Sequence, residues 1–192
     1  MFLPRQLMYL CECVKKTKEI PGCIVEAGCA YGDTTIFLKK YMQEEGIDKQ
    51  YIAIDTFSGF VEEHVDHEIK MRGKPDTIHN HFFHNKKQWY DFKLRNDGIT
   101  DVTSVESDVM KFDFKAVGPI AFCLLDVDLY LPIRDVLPKI YDALSPGGII
   151  IVDDCTPDKL WDGAFQAYRE FVTARRLSEC VVLDKLGVIQ KL

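Results

Sequence analysis

A chain of 192 residues is long enough to bury a substantial core and matches the size of one domain, 1–192. With 47% apolar and 28% charged residues it has the mix of a globular protein, not of a disordered or fibrous one. Its formal net charge of −6 argues against a nucleic-acid partner held through phosphates, and no apolar run approaches the ~20 residues of a membrane span.

Residues 1–10 carry Pro4 and Arg5 but no signal-peptide core. Leu7, Cys11 and Val14 follow at helical spacing, so Cys11 reads as core and Cys13 as its neighbour. No second cysteine pair completes a zinc site with them. The seven cysteines are odd in number, irregularly spaced and mostly set in apolar stretches, as at Cys23, Cys123 and Cys180; a reducing cytoplasm is the expected compartment.

Short, continuous, often β-branched apolar runs at 23–27, 51–54, 102–105, 120–125 and 149–152 read as parallel strands buried on both faces. Helical stretches alternate with them. The first, 33–43, places Ile36, Phe37, Lys40 and Tyr41 on one side. The second, 133–144, aligns Ile133, Val136, Leu137, Ile140 and Leu144, with Pro138 predicting a kink or a late start. A third, 158–175, keeps Trp161, Ala164, Phe165, Tyr168, Phe171 and Val172 in phase, with Thr156-Pro157 as cap and first-turn proline. Residues 180–183 and 188–190 flank a turn at 184–187 and form a terminal hairpin. The alternation predicts an α/β, doubly wound, mostly parallel sheet whose last strand is antiparallel.

The turn from Glu26 to Thr35 joins the first strand to its helix. Gly28 and Gly32 allow close backbone approach to a ligand, and the helix N-terminus beyond Gly32 offers unpaired N–H groups. Gly-x-x-x-Gly is not the dinucleotide fingerprint, and by itself it is compatible with a plain structural turn. Asp55 ends the second strand, where a carboxylate can accept both ribose hydroxyls, so a nucleoside site is the leading reading. Ser107-Asp108, after the third strand, adds a polar pair at the same edge, where an adenine fits.

Asp126-Val127-Asp128 follows the fourth strand and Asp153-Asp154 the fifth. Adjacent strands lie about 4.8 Å apart, so Asp126 and the Asp153-Asp154 pair project together. Carboxylates at that range raise one another's pKa unless a cation separates them, and Mg²⁺ or another hard divalent cation is the simplest such cation. In the plainer alternative Asp153-Asp154 caps a helix and Asp128 faces solvent. All five histidines (His64, His67, His79, His81, His84) fall between the second and third strands. The spacing of His79, His81 and His84 resembles a zinc ligand set, but the surrounding Lys, Asn and Asp favour an exposed segment, 61–95, that covers the substrate and offers a general base.

The segments from Val25 to Gly32, Ile54 to Phe60, Leu125 to Tyr130 and Leu144 to Asp154 together resemble the macrocin O-methyltransferase (TylF) family. Its members are class I, metal-dependent S-adenosylmethionine methyltransferases with a Rossmann-like fold, acting mostly on sugar hydroxyls. The resemblance runs over residues 22–171 and implies a seven-stranded sheet. It implies that Glu26, Gly28, Gly32 and Thr34 line the methionine end of S-adenosylmethionine, and that Asp55 holds the ribose with Thr56, Phe57 and Ser58 nearby. Ser107 and Asp108 then sit by the adenine. Asp126, Asp153 and Asp154 become the Mg²⁺ ligands, with Asp126 at the cofactor and as base for a small-molecule hydroxyl acceptor. The family commonly forms homodimers. This chain departs from the pattern in Val127, where glycine is usual, in Leu131-Pro132 after the tyrosine, and in a short segment ahead of the first strand.

Two other classes account for part of the pattern. A glycosyltransferase would use Asp126-Val127-Asp128 to bridge a metal to a nucleotide sugar, but leaves the Glu26–Gly32 turn without a role. A non-catalytic cofactor-binding subunit would bind S-adenosylhomocysteine without turnover. A nicotinamide oxidoreductase fits least, since the fingerprint differs and no Tyr-x-x-x-Lys pair occurs.

Overall fold

The computed structural model describes residues 2–157 and 160–192. Helix α1 (Pro4–Lys16) precedes strand β1 (Cys23–Ala27), α2 (Asp33–Glu44) and β2 (Tyr51–Asp55). Next come α3 (Glu62–Arg72), a 3₁₀ turn (Asp76–Asn80), α4 (Lys87–Asn96) and β3 (Val102–Glu106). A second 3₁₀ turn (Val109–Lys111), β4 (Ile120–Leu125), α5 (Tyr130–Ala143) and β5 (Leu144–Val152) follow. The chain continues through α6 (Asp162–Ala174) into the hairpin β6 (Val181–Val182) and β7 (Leu186–Gln190).

The seven strands form one sheet in the order β3-β2-β1-β4-β5-β7-β6, parallel except for β7, which runs antiparallel to both neighbours. This is the doubly wound sheet with an antiparallel last strand and terminal hairpin that the sequence predicts. Successive residues of a strand face opposite sides. Val25, Cys123 and Ile150 pack under α5 and α6, whereas Ile24, Phe122 and Ile151 pack under α1, α2 and α4. Both faces of the central strands are therefore covered, which explains their unbroken apolar runs. Strand β3 is the exception: as the edge strand it is only half-buried, not sealed on both faces as its composition suggests.

Three helices depart from expectation. The buried stripe of α2 is Thr35, Leu38, Lys39 and Met42, while Phe37 and Lys40 are exposed. Polar partners make this rotation possible: Thr35 donates to Glu26, and the buried Lys39 ammonium pairs with Asp101 at 2.7 Å. Helix α5 starts early, at Tyr130, and runs through Pro138. Helix α6 begins at Asp162 with Trp161 as its N-cap, so Thr156-Pro157 does not cap it; Asp158 and Lys159, expected in its first turn, lie outside the described residues. Its start is fixed by packing, because Gly163 abuts α5 so closely that a Cβ there would lie 2.7 Å from the Tyr130 nitrogen.

The segment between β2 and β3 is not a plain exposed excursion. It carries α3 and α4, and buries His64, Val65, Glu68, Ile78, Asn85, Tyr90 and Leu94. Of the seven thiols, all unpaired, six are buried; Cys180 is exposed despite its apolar neighbours. Among the described residues no helix is long and apolar enough to cross a membrane.

Candidate active site

Register brings the site together. Ala27 lies opposite both Ile54 and Leu125, and Leu125 opposite Val152, so β1, β2, β4 and β5 end level. The next amide of each chain continues the ladder: Gly28 donates to Ile54, Asp126 to Ala27 and Asp153 to Leu125, at 2.8, 2.8 and 3.0 Å. The sheet order reverses between β1 and β4, where a doubly wound sheet opens its ligand crevice. A cavity of about 670 Å³ occupies that place.

The turn after β1 forms the cavity floor. Glu26 is buried at its base, where its carboxylate accepts from Thr35 Oγ1 and Tyr51 Oη, both at 2.6 Å. Burial pushes its carboxyl up to about 7 despite these two donors. Gly28 has a φ of +88°, and a Cβ on it would meet the Asp126 carbonyl oxygen at 1.8 Å. Thr34 lines the cavity. Gly32 stands outside its wall and makes room for the Tyr90 ring, whose carbons lie 2.9 Å from where a Cβ would be.

Asp55 faces the cavity with its carboxylate oriented by backbone. One oxygen accepts from Ala30 N–H at 2.9 Å, the other from Phe57 N–H at 2.8 Å and Asn85 Nδ2 at 3.4 Å. Burial raises its pKa, and those N–H groups work against the rise. Thr56 also lines the cavity, its hydroxyl donating to the Gly59 carbonyl. Phe57, in contrast, is buried against Tyr90, with ring centroids 5.2 Å apart, and Ser58 points to solvent; both lie outside the wall. Asp108 lines the far side and caps the turn beyond it by accepting from Met110 N–H at 2.9 Å. Ser107 stays off the wall and donates to the Asp108 carbonyl.

Among the described residues, one group of metal-type side chains converges. Asp126, Asp128 and Asp154 each bring a carboxylate oxygen within 4.8 Å of the others. Asp128 and Asp154 hold left-handed backbones, with φ of 60° and 54°, a sparsely populated conformation that recurs at functional sites. Asp153 is not in this group. It pairs with Lys185 at 2.6 Å, and its other oxygen, Oδ1, is buried without a hydrogen-bond partner among the described residues. Burial first, then the neighbouring carboxylates, raise Asp126 and Asp128 well above the usual range and Asp153 to about 6. Burial disfavours the Lys185 charge, but Asp153 and Asp154 outweigh it and its pKa rises.

His79, His81 and His84 do not assemble a metal site: His79 and His84 are exposed, and His81 packs edge-on against Trp161 at 5.0 Å. His64 alone of the five lines the cavity, and burial lowers its pKa. Sequence reasoning also passed over Lys185 and the aromatic wall of Phe60, Phe82 and Trp161. Asp128 had a signal, since residues two apart on an extended segment share a side. Lys185 had none, because only the hairpin brings it beside Asp153.

Comparison with known proteins places the chain in a family. The profile of the macrocin-O-methyltransferase (TylF) family matches residues 1–191. A Streptomyces olivaceus 8-demethyl-8-(2,3-dimethoxy-alpha-L-rhamnosyl)-tetracenomycin-C 4'-O-methyltransferase is 26% identical over 175 residues, covering 88% of this chain and 65% of that protein. A Micromonospora griseorubida mycinamicin III 3''-O-methyltransferase is 25% identical over 196 residues, covering 96% and 74%. The chain thus spans about two-thirds to three-quarters of the length of these relatives. In fold it is similar to the O-methyltransferase NovP, with a TM-score of 0.78 at 19% identity over 97% of this chain and 79% of that one. The calicheamicin methyltransferase CalS11 gives 0.75 at 20% identity over 97% and 78%. The chain belongs to the macrocin-O-methyltransferase (TylF) family.

Proposed function

We propose that this chain, as one methyltransferase domain, transfers the methyl group of S-adenosylmethionine to a hydroxyl of a sugar or polyol-like small molecule, with a divalent cation at its acid cluster. The observation that carries this reading is the single cavity joining the Gly28 turn and Asp55 to Asp126, Asp128 and Asp154. Both aligned relatives are named as O-methyltransferases, one of them of a rhamnosyl-tetracenomycin, which supports a sugar acceptor here.

The acids fit a hard cation. Three carboxylate oxygens converge, and beside them Asp153, though paired with Lys185 through one oxygen, keeps the other buried without a hydrogen-bond partner among the described residues. Asp126, Asp128 and Asp154 would hold Mg²⁺. Bound there, the cation would lower the acceptor hydroxyl's pKa and fix two neighbouring oxygens. The chain supplies the rest. Glu26, Gly28 and Thr34 shape the seat for the methionine end, Asp55 for the ribose and Asp108 for the adenine. Asp126 stands between the cofactor turn and the acids, placed to take the hydroxyl proton. The acceptor oxygen then bonds to the methyl carbon as the carbon–sulfur bond breaks, leaving S-adenosylhomocysteine. Orientation of the two reactants in one cavity is the main contribution.

The test is methyl transfer to a panel of glycosides with and without EDTA, alongside Asp154→Asn. Loss of about 100-fold or more in kcat, with S-adenosylhomocysteine affinity kept within about threefold, is expected. Unchanged transfer in both conditions would remove the metal from the proposal. Stabilisation by uridine diphosphate in place of S-adenosylhomocysteine would favour a glycosyltransferase, and binding without turnover a non-catalytic subunit. The buried thiols fit a reducing cytoplasm, and a homodimer is the expected assembly, to be read by light scattering.

A further inference from the structure

Lys185 is the cation already seated at the acid cluster. Its ammonium lies 2.6 Å from Asp153 and 3.2 Å from Asp154, one of the three converging acids. Its side chain is 17% exposed and rests over the Phe2 ring at 4.9 Å. The turn that presents it is tied down on two sides. Its own carbonyl accepts from Cys155 N–H at 2.7 Å, next to the acids themselves. The two residues before it are stitched to α1: Gln6 Nε2 donates to the Leu183 carbonyl at 3.0 Å, and Arg5 pairs with Asp184. Leu183 and Asp184 hold left-handed backbones, with φ of 49° and 71°, which fixes the turn's shape. The lysine is therefore delivered by rigid structure and is not a wandering surface side chain.

We propose that Lys185 is a built-in competitor for the divalent cation: it occupies the Asp153 side of the cluster, restricts the metal to Asp126, Asp128 and Asp154, and weakens its binding. This inference rests on the divalent-cation reading above. The physical cause is direct. A metal ion entering the cluster meets a positive charge within contact of one of its own ligands, and the two share the field of the same carboxylates. Asp154 would be shared between the ammonium and the metal, while Asp153 would keep the lysine and so stay out of the ligand set. Lys185 is thus a positioning residue that sets which acids are ligands and how tightly metal is held.

The experiment uses the whole chain without S-adenosylmethionine and Mn²⁺ as the probe, with free Mn²⁺ read by electron paramagnetic resonance. Lys185→Met should bind Mn²⁺ about tenfold or more tightly than the wild type, whereas Lys185→Arg stays within about threefold. Without metal, Lys185→Met should melt at lower temperature than the wild type and regain the difference on adding Mn²⁺; a purely structural loss would not be restored by metal. If Lys185→Met fails to fold, Lys185→Gln serves with the same expected gain. Wild-type binding that Asp154→Asn abolishes, together with unchanged or weaker binding by Lys185→Met, overturns the competitor role and leaves the metal reading standing. No Mn²⁺ binding by any variant overturns both.

Discussion

The backbone of Gly28 presses directly on the Asp126 carbonyl, so the turn after β1 and the acid cluster share one contact with no room for a side chain. Val127 closes the same gap, its Cγ1 lying 3.1 Å from where a Gly28 Cβ would be. Gly28→Ala must both hold a left-handed residue and push β1 from β4. It should cost about 3 kcal/mol or more in urea denaturation. Gly46→Ala is the control: its φ is also positive, at +59°, but nothing lies within 4 Å, so about 1 kcal/mol is expected.

Glu26 makes stability pH-dependent. Its folded pKa, raised to about 7 by burial, lies above the ordinary 4.5, so the folded state holds its proton where the unfolded state has released it. Its stabilising contribution is full below about 4.5 and is lost as pH rises through about 7. Over that window the loss is roughly 3 kcal/mol, at about 1.4 kcal/mol per pH unit. Glu26→Gln should flatten the fall in melting temperature between those pH values in the ligand-free protein. An identical slope in the variant would assign the effect elsewhere.

Glu68 carries a structural load that its surface neighbours do not. It is 1% exposed, accepts from the Tyr130 N–H that opens α5 at 2.7 Å, and pairs with Arg72 at 2.8 Å. Glu68→Ala leaves the Tyr130 amide buried without its acceptor and takes one of two carboxylates from Arg72, which keeps Asp162 at 2.7 Å, and should cost about 2 kcal/mol by chemical denaturation. Lys70→Ala, which breaks an exposed pair with Asp66 on the same helix, should change stability by less than about 0.5 kcal/mol.

Trp161 stands on the cavity wall with Phe60 and Phe82, the ring centroids of the two neighbouring pairs lying 5.5 and 5.4 Å apart. Such a wall suits the apolar face of a sugar ring. Trp161→Ala should raise KM for a glycoside acceptor about tenfold while leaving the Kd for S-adenosylhomocysteine within about twofold, measured by steady-state kinetics and calorimetry.

The sheet was legible because its central strands are covered on both faces, which leaves an unbroken apolar run in the sequence at 120–125 as at 149–152. Helix α2 was harder. Its buried side includes Thr35 and Lys39, and the identity of a residue does not reveal that a partner from another element will satisfy it. The start of α6 was misplaced for a related reason, since Gly163 against α5, not the proline at 157, fixes where the helix begins. Acids at strand ends could be read from the chain because register carries them to one edge. Which oxygens converge depends on two left-handed residues and on a lysine in the last hairpin, and neither leaves a periodic trace.

Strand β7 sits between β5 and β6, so β5 depends on the final hairpin for one whole row of its hydrogen bonds. During synthesis the run Ile149-Ile150-Ile151-Val152 emerges long before residues 186–190 can pair with it. Until then it is an unprotected apolar edge, the kind of segment that recruits other chains. The same docking step delivers Lys185 to Asp153 and Asp154. Closing the sheet and bringing the acids this lysine are thus a single event, and a nascent chain halted before the hairpin would be both sticky at β5 and without that counter-charge in its cavity.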